Sequence, residues 1–522
     1  QAGLGRVRAH EILGNRDAQR DDLTTLHTLA DRLGDAYRRA ETILAQARYH
    51  WQTGDYAQTL ETASRGLALT NVPPETQAAL LEILGQATRD QGDYPQARAW
   101  FERALALHQT IGNLSGEASV LDLLGIVAQR QGNLAEAIEK QTRSLALYRQ
   151  VGDVYKQGHL LGNLGVVYWM SSDYAHARQM FAQAVEISQQ LGELRAEIAH
   201  SGNLGALAGI FGDFETALAR YAANLSRLEE TGDRAMYANT LGNHAYTLFE
   251  LGQFEQALAS ADRALAINQD LGRRRGEGFV QHTRGLALTE LGRFAEAQAA
   301  FEASITLRET LGEQDTLSDT YGSLTLLYLQ QGAFPQAEQA FAAARRTRTD
   351  QKNDEYRRNF NYVGYLLHHA RGETSAALAH LLEAEDAMHA MARELPAPDQ
   401  PRFLNAVATN RQIQQAIRAH SHRIEVRLVR ADVPLGRKLT GDDYVSVTWT
   451  LSQPGDDRHT PTTARRQHIL RRLLSESAAQ GAAPTDDDLA KALGVSRRTV
   501  LRDMEVLREV GVELKTRQRG SQ

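Results

Sequence analysis

Three asparagines recur at intervals of forty residues inside segments that are otherwise apolar. Asn163, Asn203 and Asn243 lie in the stretches LGNLGVVYWM, SGNLGALAGI and LGNHAYTLFE. A carboxamide offers both a hydrogen-bond donor and an acceptor, which the main chain of an extended peptide can use. At this regular spacing the three side chains could form a ladder that holds such a ligand. In the alternative interpretation, each asparagine caps or bridges neighbouring helices of the protein itself.

Apolar and small side chains accompany the asparagines and complete a candidate ligand-binding face. Val166 and Trp169 follow the first asparagine at helical spacing, and aromatic residues follow the third in the same way. Large apolar side chains anchor ligands, and the glycine before each asparagine would let a ligand approach the main chain. The next repeat has a histidine and a threonine at the corresponding positions. The predicted ligand residues are Asn163, Val166, Trp169, Asn203, Asn243, Tyr246, Phe249, His282 and Thr283.

A second candidate site lies in the last sixty residues, which are locally basic. Residues 464–520 contain twelve Lys and Arg against eight Asp and Glu, whereas the whole chain has a net charge of −6. Such a local excess suits contact with phosphates. Thr485 and Ser496 are typical helix caps, and Gly494 separates two short helical patterns. The second pattern, 497–509, places apolar residues on one face and arginines on the other. This is the arrangement of a helix-turn-helix.

The elements that position the asparagines belong to an internal repeat. A glycine followed by a polar residue, and often an aromatic one, recurs from GDY at 54–56 to GAF at 332–334, with Ser172 replacing one glycine. A second glycine series lies midway between these turns. Two turns per forty residues predict two helices of 14–18 residues per repeat, because glycine supplies the left-handed helix end. Small residues in the registers of Gly165 and Ala177 let the paired helices approach closely.

This pattern resembles the tetratricopeptide repeat (TPR) in a long-helix variant, over roughly residues 1–390. The resemblance implies an all-α fold, with residues 1–392 forming a right-handed α-solenoid of about nine to ten repeats. The first helix of each pair would then line the concave face. In peptide-binding TPR proteins an asparagine at this position of the first helix commonly contacts the ligand. The resemblance therefore points to the same three asparagines.

Between the repeats and the basic segment, the sequence predicts a connector over residues 393–463. ELPAPDQP at 394–401 interrupts the helical pattern, and a helix is expected at about 402–420. Residues 423–431 and 444–452 alternate with period two, which predicts a β-hairpin. An isolated hairpin is marginally stable, so this one must pack against another element, for which the last repeat is a candidate. Residues 456–463 have the composition of a linker.

The phrase LAKALGVSRRTVLRDMEVLREVG at 489–511 closely resembles winged helix-turn-helix domains of the DeoR-like type, which assigns residues 464–522 to such a domain. The resemblance implies that the recognition helix begins near Ser496 and enters the major groove of DNA. It implies that a basic wing follows. The residues implied to contact DNA are Ser496, Arg497, Arg498, Thr499, Arg502, Lys515, Arg517 and Arg519. Alternatively, the domain is a protein-interaction module whose arginines are solvated.

Composition and motifs restrict the other possibilities. The chain has no cysteine, so disulfides and thiolate metal sites are excluded. No phosphate-binding glycine loop, metal-binding motif or catalytic constellation is present, so we expect no enzyme activity, metal or cofactor in this chain. No apolar run is long enough to span a membrane, and we expect a cytoplasmic protein. The opening GLGRVRAHEILG reads like the middle of a helix, which suggests a piece of a longer protein.

A TPR array joined to a DNA-reading domain resembles the sensor half of bacterial STAND-type signalling regulators, such as relatives of the maltose-regulon activator. Those proteins place an ATPase switch before the TPR sensor, so a preceding ATPase segment is possible here. The resemblance implies a transcriptional regulator that senses a peptide, a protein or a small effector and binds double-stranded DNA. The alternative is a TPR scaffold whose terminal domain serves protein assembly and does not bind DNA.

Overall fold

The chain is predominantly helical. A computed structural model describes residues 2–13, 15–348, 353–436, 438–509, 511–512 and 516–517, which contain 25 α-helices and two β-strands. The helices are α1 (Ala2–Ile12), α2 (Arg16–Leu33), α3 (Ala36–Gln52), α4 (Tyr56–Leu67), α5 (Pro74–Asp90), α6 (Tyr94–Thr110), α7 (Leu114–Arg130), α8 (Leu134–Val151), α9 (Val154–Met170), α10 (Tyr174–Leu191), α11 (Leu194–Ile210), α12 (Phe214–Thr231), α13 (Arg234–Glu250), α14 (Phe254–Asp270), α15 (Arg274–Glu290), α16 (Phe294–Leu311), α17 (Gln314–Gln330), α18 (Phe334–Thr347), α19 (Asp354–Ala370), α20 (Thr374–Arg393), α21 (Gln400–Ala406), α22 (Ala408–Ala419), α23 (Thr462–Ala479), α24 (Asp486–Leu493) and α25 (Arg497–Glu509). The strands are β1 (His422–Val429) and β2 (Tyr444–Ser452).

The turns between paired helices have the backbone conformation that the glycine series predicts. Gly132 has φ 79°, in the left-handed region that residues with a Cβ rarely adopt. Ser172, which replaces a glycine in the series, adopts the same conformation with φ 63°. Where the second residue of the triplet is aspartate, its side chain caps the next helix; Asp173 Oδ1, for example, accepts a hydrogen bond from the main-chain N–H of His176 at 3.2 Å. Each triplet therefore ends one helix and starts another.

Aromatic rings pack on the helix backbone at several of the recurring glycines, whereas Gly125 faces the side chain of Gln141. A Cβ on Gly165 of α9 would lie 2.6 Å from Cε1 of Phe181, which projects from α10 and is fully buried. Gly285 and Phe301 repeat the same contact between α15 and α16. The pattern of one small residue facing one ring lets the two helices of a repeat approach closely.

The hairpin and the last three helices share one hydrophobic core. Strands β1 and β2 are antiparallel, with Val426 opposite Val447. Trp449 of β2 is buried, and its indole Nε1 donates a hydrogen bond to Ser477 Oγ of α23 at 2.8 Å. The buried core residues are Leu428, Val447, Trp449, Leu470, Leu473, Leu474, Ala482, Leu489, Ala490, Val500, Met504 and Leu507. We call β1, β2 and α23–α25 together the C-terminal domain. The predicted boundary at 463/464 passes through this core, because the hairpin packs on α23.

Side chains of α23 also cover the free edge of β2. Glu476 Oε2 accepts a hydrogen bond from the N–H of Thr450 at 2.8 Å, and Gln480 bonds both main-chain groups of Thr448 at 2.9 and 3.0 Å. The unpaired edge of a two-stranded sheet is thereby satisfied within the domain. The helix that the sequence predicts at 402–420 is present as two helices, α21 and α22, which meet at Val407.

The described chain forms two compact units. Unit 1 contains the residues up to Leu248 together with short segments near 353 and 395, and unit 2 contains most of the chain from Phe249 onward. Within unit 2 the C-terminal domain contacts the repeats: Arg458, which follows β2, pairs with Asp386 of α20 and lies 3.4 Å from Glu383. No helix among the described residues meets the length and apolarity that crossing a lipid bilayer requires.

Candidate functional site

The first asparagine of the predicted ladder is exposed on α9 and lies near a carboxylate of α7. Asn163 Nδ2 is 3.5 Å from Asp122 Oδ1, at the limit of a hydrogen bond. Gln141 of α8 donates to the same oxygen at 3.0 Å. Burial raises the pKa of Asp122, and these two amide donors oppose that rise. The contact between Asn163 and Asp122 is a weak version of the helix bridge that the alternative interpretation describes, and Asn163 is nevertheless exposed.

Neighbouring side chains of α9 continue the exposed face around Asn163. Val166 is 38% exposed, and Tyr155 is 46% exposed with its ring 4.7 Å from that of the exposed His159. Tyr155, His159, Asn163 and Val166 follow one another at steps of three or four, so they form one stripe along the helix. Sequence reasoning missed Tyr155 and His159, although their spacings of eight and four residues from Asn163 place them on the same helix face.

Trp169, at the end of α9, is half-buried rather than displayed. Its ring lies 6.4 Å from the ring of Phe181 in a T-shaped contact. Tyr246 and Phe249 on α13 are half-buried too, and Phe249 lies 5.9 Å from Phe254. These aromatic side chains pack partly within the repeats and keep part of their surface accessible.

The second and third asparagines are half-buried on α11 and α13. Beside Asn203, the position of Gly202 is open, because a Cβ there would meet only Asn224 Nδ2 at 3.9 Å. Gly162 beside Asn163 differs, since the imidazole of His200 packs directly on its backbone. Both ring nitrogens of His200 are buried without a protein partner, and burial lowers the pKa of His200 to about 4. Open access to the main chain therefore exists at Gly202 and not at Gly162.

The structure places His282 and Thr283 in the interior of unit 2, contrary to the prediction that they line a ligand surface. His282 is 4% exposed, and its Nδ1 lies 3.1 Å from Thr320 Oγ1. Burial lowers the pKa of His282 well below its ordinary value. Thr283 is fully buried and donates to the carbonyl of Phe279 at 3.3 Å. In its repeat, His282 occupies the position that Gly162 and Gly242 occupy in theirs, and both glycines are buried. The repeat pattern therefore places this side chain in the interior.

The second candidate site is built on α24 and α25. Thr485 caps α24 in a reciprocal box with Asp488, and Gly494 ends that helix with φ 64°. Ser496 then accepts the main-chain N–H of Thr499 at 3.2 Å, which starts α25. The side-chain hydroxyls of Ser496 and Thr499 lie 2.9 Å apart. These local bonds fix the direction of α25 from its first residue.

The two faces of α25 have opposite chemistry. Val500, Met504 and Leu507 are buried in the core, and Asp503 is a buried anchor whose carboxylate pairs with Arg466 of α23. Arg498 and Arg502 are exposed on the other face. Arg497 is also exposed and reaches Asp486 of α24 at 3.4 Å. The buried anchor holds the helix so that its arginines face solvent.

Arg517, one of the predicted wing contacts, forms hydrogen bonds within the domain. Its guanidinium donates hydrogen bonds to the carbonyls of Val433 at 2.7 Å and Pro434 at 2.9 Å, and its main-chain N–H donates to Pro484 at 3.0 Å. These bonds tie Arg517 to the segment at 433–434, and its contact with DNA stays a prediction. Lys515 and Arg519, the other predicted wing residues, lie outside the described residues.

Metal chemistry finds no support in the geometry. In the part of the chain that the structure describes, no group of three or more His, Cys, Asp or Glu side chains converges as metal ligands do. The two sites consist of amide, aromatic and arginine side chains, which bind ligands without forming covalent bonds to them.

Comparison with known proteins agrees with this division into repeats and a terminal DNA-reading fold. A tetratricopeptide-repeat family model matches residues 75–150, 116–190, 194–270 and 278–350, and an HTH domain model matches residues 465–522. A search of curated protein sequences found no match.

A solved structure of a Rap protein shows the same repeat fold. The crystal structure of a Rap protein complexed with competence and sporulation factor is 12% identical, with a TM-score of 0.52, and the match covers 68% of this chain and 99% of that one. The apo form of the quorum sensor NprR from B. thuringiensis is 14% identical, with a TM-score of 0.49, and covers 66% and 97% of the two chains. At these identities the likeness concerns the fold alone.

The fold and the two sites define a helical-repeat protein with a terminal helix-turn-helix, which is the organisation of a TPR-based transcriptional regulator. The repeat matches together cover half of the sequence, so the chain belongs to the tetratricopeptide-repeat family. The resemblances to STAND-type regulators and to DeoR-like domains stay predictions.

Proposed function

We propose that this protein is a ligand-sensing transcriptional regulator whose C-terminal domain binds duplex DNA through α25. The observation that carries the proposal is the exposure of Arg498 and Arg502 on a helix whose other face is fixed in the core. Arginines at the start of such a helix can contact guanine edges and phosphates in the major groove. Ser496 and Thr499, which share a hydrogen bond at the helix start, complete the proposed contact.

A fluorescence anisotropy titration of the whole chain with a labelled mixed-sequence duplex tests this proposal. We expect Arg498→Ala to weaken binding about tenfold, because one arginine contact contributes about 1–3 kcal/mol. The slope of log K against log salt should fall by about one for each phosphate contact removed. Arg65→Ala, an exposed arginine of α4, is the matched control. Equal affinity of both variants and wild type would refute the assignment of α25.

We propose that the sensed ligand is a peptide or a protein segment held by the face of unit 1 that contains Asn163, Asn203 and Asn243. The Rap protein with the same repeat fold is complexed with competence and sporulation factor, and we propose that the repeats of this chain hold a partner too. The open position of Gly202 and the exposed stripe on α9 support the same face. A small effector that uses the same amides stays possible within the proposal.

Panning of a phage-displayed random peptide library against the immobilised chain tests the ligand face. Enriched peptides should bind wild type and lose at least tenfold affinity for the Asn203→Ala/Asn243→Ala double variant, because two main-chain contacts are lost. The melting temperature should change little, since both side chains are half-exposed. A large drop in melting temperature would instead support the interpretation that these asparagines bridge helices.

A second candidate function, a scaffold for protein assembly, is favoured by one observation. Leu501 and Val506 of α25 are 42% and 39% exposed, and apolar side chains on an exposed helix suit a protein partner. Sedimentation equilibrium separates the two functions. Self-association that disappears in Leu501→Lys, without any DNA binding by wild type, would support the scaffold.

The remaining parts of the proposal concern enzyme activity, cofactors, cellular location and a further domain. We propose a non-enzymatic, cofactor-free, cytoplasmic regulator that works with a preceding ATPase switch. The combination of repeats and a helix-turn-helix domain supports this setting. Sequencing the complete open reading frame tests the ATPase segment directly.

A further inference from the structure

The loop that joins β1 to β2 emerges beside the helix-turn-helix. Beyond β1 the chain continues into an antiparallel bridge between Arg430 and Ala482. The N–H of Ala431 donates to the carbonyl of Gly481 at 2.9 Å, and the N–H of Ala483 donates to the carbonyl of Val429 at 2.9 Å. Residues 481–484 lead directly to the cap of α24, so the loop leaves the sheet next to the first helix of the helix-turn-helix.

Arg517 fixes this loop in place from the other end of the domain. Its guanidinium donates hydrogen bonds to the carbonyls of Val433 and Pro434, and its main-chain N–H donates to the carbonyl of Pro484. The buried side chain of Val433 lies directly before the exposed tip. Thr440 and Asp443 form a capping box where the loop returns to β2. The loop is therefore held at its tip and at its return by side chains, which pre-organises it for a ligand.

The tip of the loop presents apolar and cationic groups to solvent. Pro434 is exposed, and Leu435 is 63% exposed, more than the exposed Leu501 and Val506 of α25. Lys438 is exposed on the return of the loop. Arg430 is exposed at the base and lies 3.3 Å from Asp432. The loop also exposes Asp432, which pairs with Arg430, and Asp442, so Lys438 is the cation that the proposal assigns to phosphate. A proline–leucine tip beside a cation is a combination with which proteins enter the DNA minor groove, the apolar pair against a base step and the cation on phosphate.

One DNA contact that is usual for a helix-turn-helix is unfavourable in this domain. The first helix of such a motif usually crosses the phosphate backbone. Here the first turn of α24 consists of Asp486, Asp487 and Asp488, which repel phosphate. Asp486 faces Arg497 of the recognition helix at 3.4 Å. The first turn of α24 is therefore unfavourable for a phosphate contact, and the β1–β2 loop adjoins α24 through Arg517.

We propose that the β1–β2 loop, residues 430–436 and 438–443, binds the minor groove of duplex DNA beside the segment that α25 reads. The loop makes a DNA contact of the kind that the sequence predicts for the basic wing after α25. Leu435 and Pro434 contact a base step, Lys438 contacts phosphate, and Arg517 is a positioning residue that holds the loop. This inference rests on the proposed function, because it requires that the C-terminal domain binds DNA.

The test uses the whole chain and a fluorescein-labelled 30-base-pair duplex with a central A·T tract, at several KCl concentrations. We expect Lys438→Glu and Leu435→Asp each to weaken binding about five- to tenfold, and Lys438→Glu to reduce the salt slope by about one. Netropsin, which fills the minor groove of A·T tracts, should weaken wild type and remove the difference between wild type and Leu435→Asp. Both loop side chains are exposed, so folding should be unaffected.

Matched controls place the same changes on the repeats. Lys140→Glu on α8 and Leu33→Asp on α2, where Leu33 is 60% exposed, should leave DNA binding unchanged.

Loop variants that bind like wild type while Arg498→Ala binds weakly would overturn the inference and leave the proposed function standing. If wild type binds no DNA at 50 mM KCl, the proposed function fails and the loop's role fails with it. A loop variant that changes only sedimentation would assign the loop to a protein contact and overturn the DNA role.

Discussion

Glu385 should make the stability of unit 2 fall as the pH rises through neutrality. This side chain lies on α20 with 20% of its surface exposed, beside the contact between the repeats and the C-terminal domain. Burial, with a smaller contribution from Asp386, raises the pKa of Glu385 from its ordinary value of 4.5 to about 7. Arg458 opposes that rise. Replacing Glu385 by glutamine keeps the shape and removes the titration.

The sign and size of the effect follow from the difference between the folded and unfolded pKa. Between pH 4.5 and 7 the folded chain keeps a proton that the unfolded chain releases, so the free energy of unfolding decreases as the pH rises. The stabilisation is complete below pH 4.5 and is lost as the pH passes 7. A pKa difference of 2.5 units at about 1.4 kcal/mol per unit sets an upper value of about 3.5 kcal/mol.

Guanidinium unfolding at pH 5, 6, 7 and 8 measures this loss, with hydrogen exchange of peptides from α20 as the local readout. The difference in free energy of unfolding between wild type and Glu385→Gln should change by 2–3 kcal/mol from pH 5 to pH 8. His389 lies 4.0 Å from Glu385 and is present in both proteins. Its own titration therefore cancels when the two free energies of unfolding are subtracted. Arg458→Ala, which removes the opposing cation, should shift the transition to higher pH. A difference that stays constant over this range would refute the reasoning.

Three further predictions concern packing and the buried anchors. Asp503→Ala should destabilise the C-terminal domain by about 3 kcal/mol and abolish DNA binding, because it leaves Arg466 without its buried partner; denaturation and anisotropy measure the two effects. Trp449→Phe should lower the domain's stability by about 2 kcal/mol through the lost hydrogen bond and volume, and unchanged thermal unfolding would contradict this. Gly165→Val should destabilise the repeats by 1–3 kcal/mol, since its side chain would overlap the ring of Phe181, which calorimetry can detect.

The sequence predicted the repeats well because their signals are local. A turn that needs a left-handed residue is visible in the chain itself, and even the serine at position 172 was recognised as a substitute for glycine. The inward face of α25 was predicted for the same reason, since helical spacing separates Val500 and Met504 from the arginines.

The errors arose where the partner lies far along the chain. Helical spacing shows that His282 shares a register with glycines, but it does not show that this register is buried between helices. Alternation showed that the hairpin has an apolar face, but the covering helix α23 follows it without any local sign of contact. The bonds of Arg517 to Val433 and Pro434 were not visible in the sequence either, because these partners are more than eighty residues away.

The common core of the hairpin and α23–α25 sets the minimal portable unit for engineering. A fragment that begins at residue 464 would lack Trp449 and Val447, which share a core with Leu473 and Leu489. Part of that core would then be exposed to water, and exposed apolar surface promotes aggregation. A fragment that starts before His422 and continues through Arg517 retains the sheet, the three helices and the clamp that ties the first segment to the last. Grafting that longer cassette onto another helical array should transfer its binding preference as one piece.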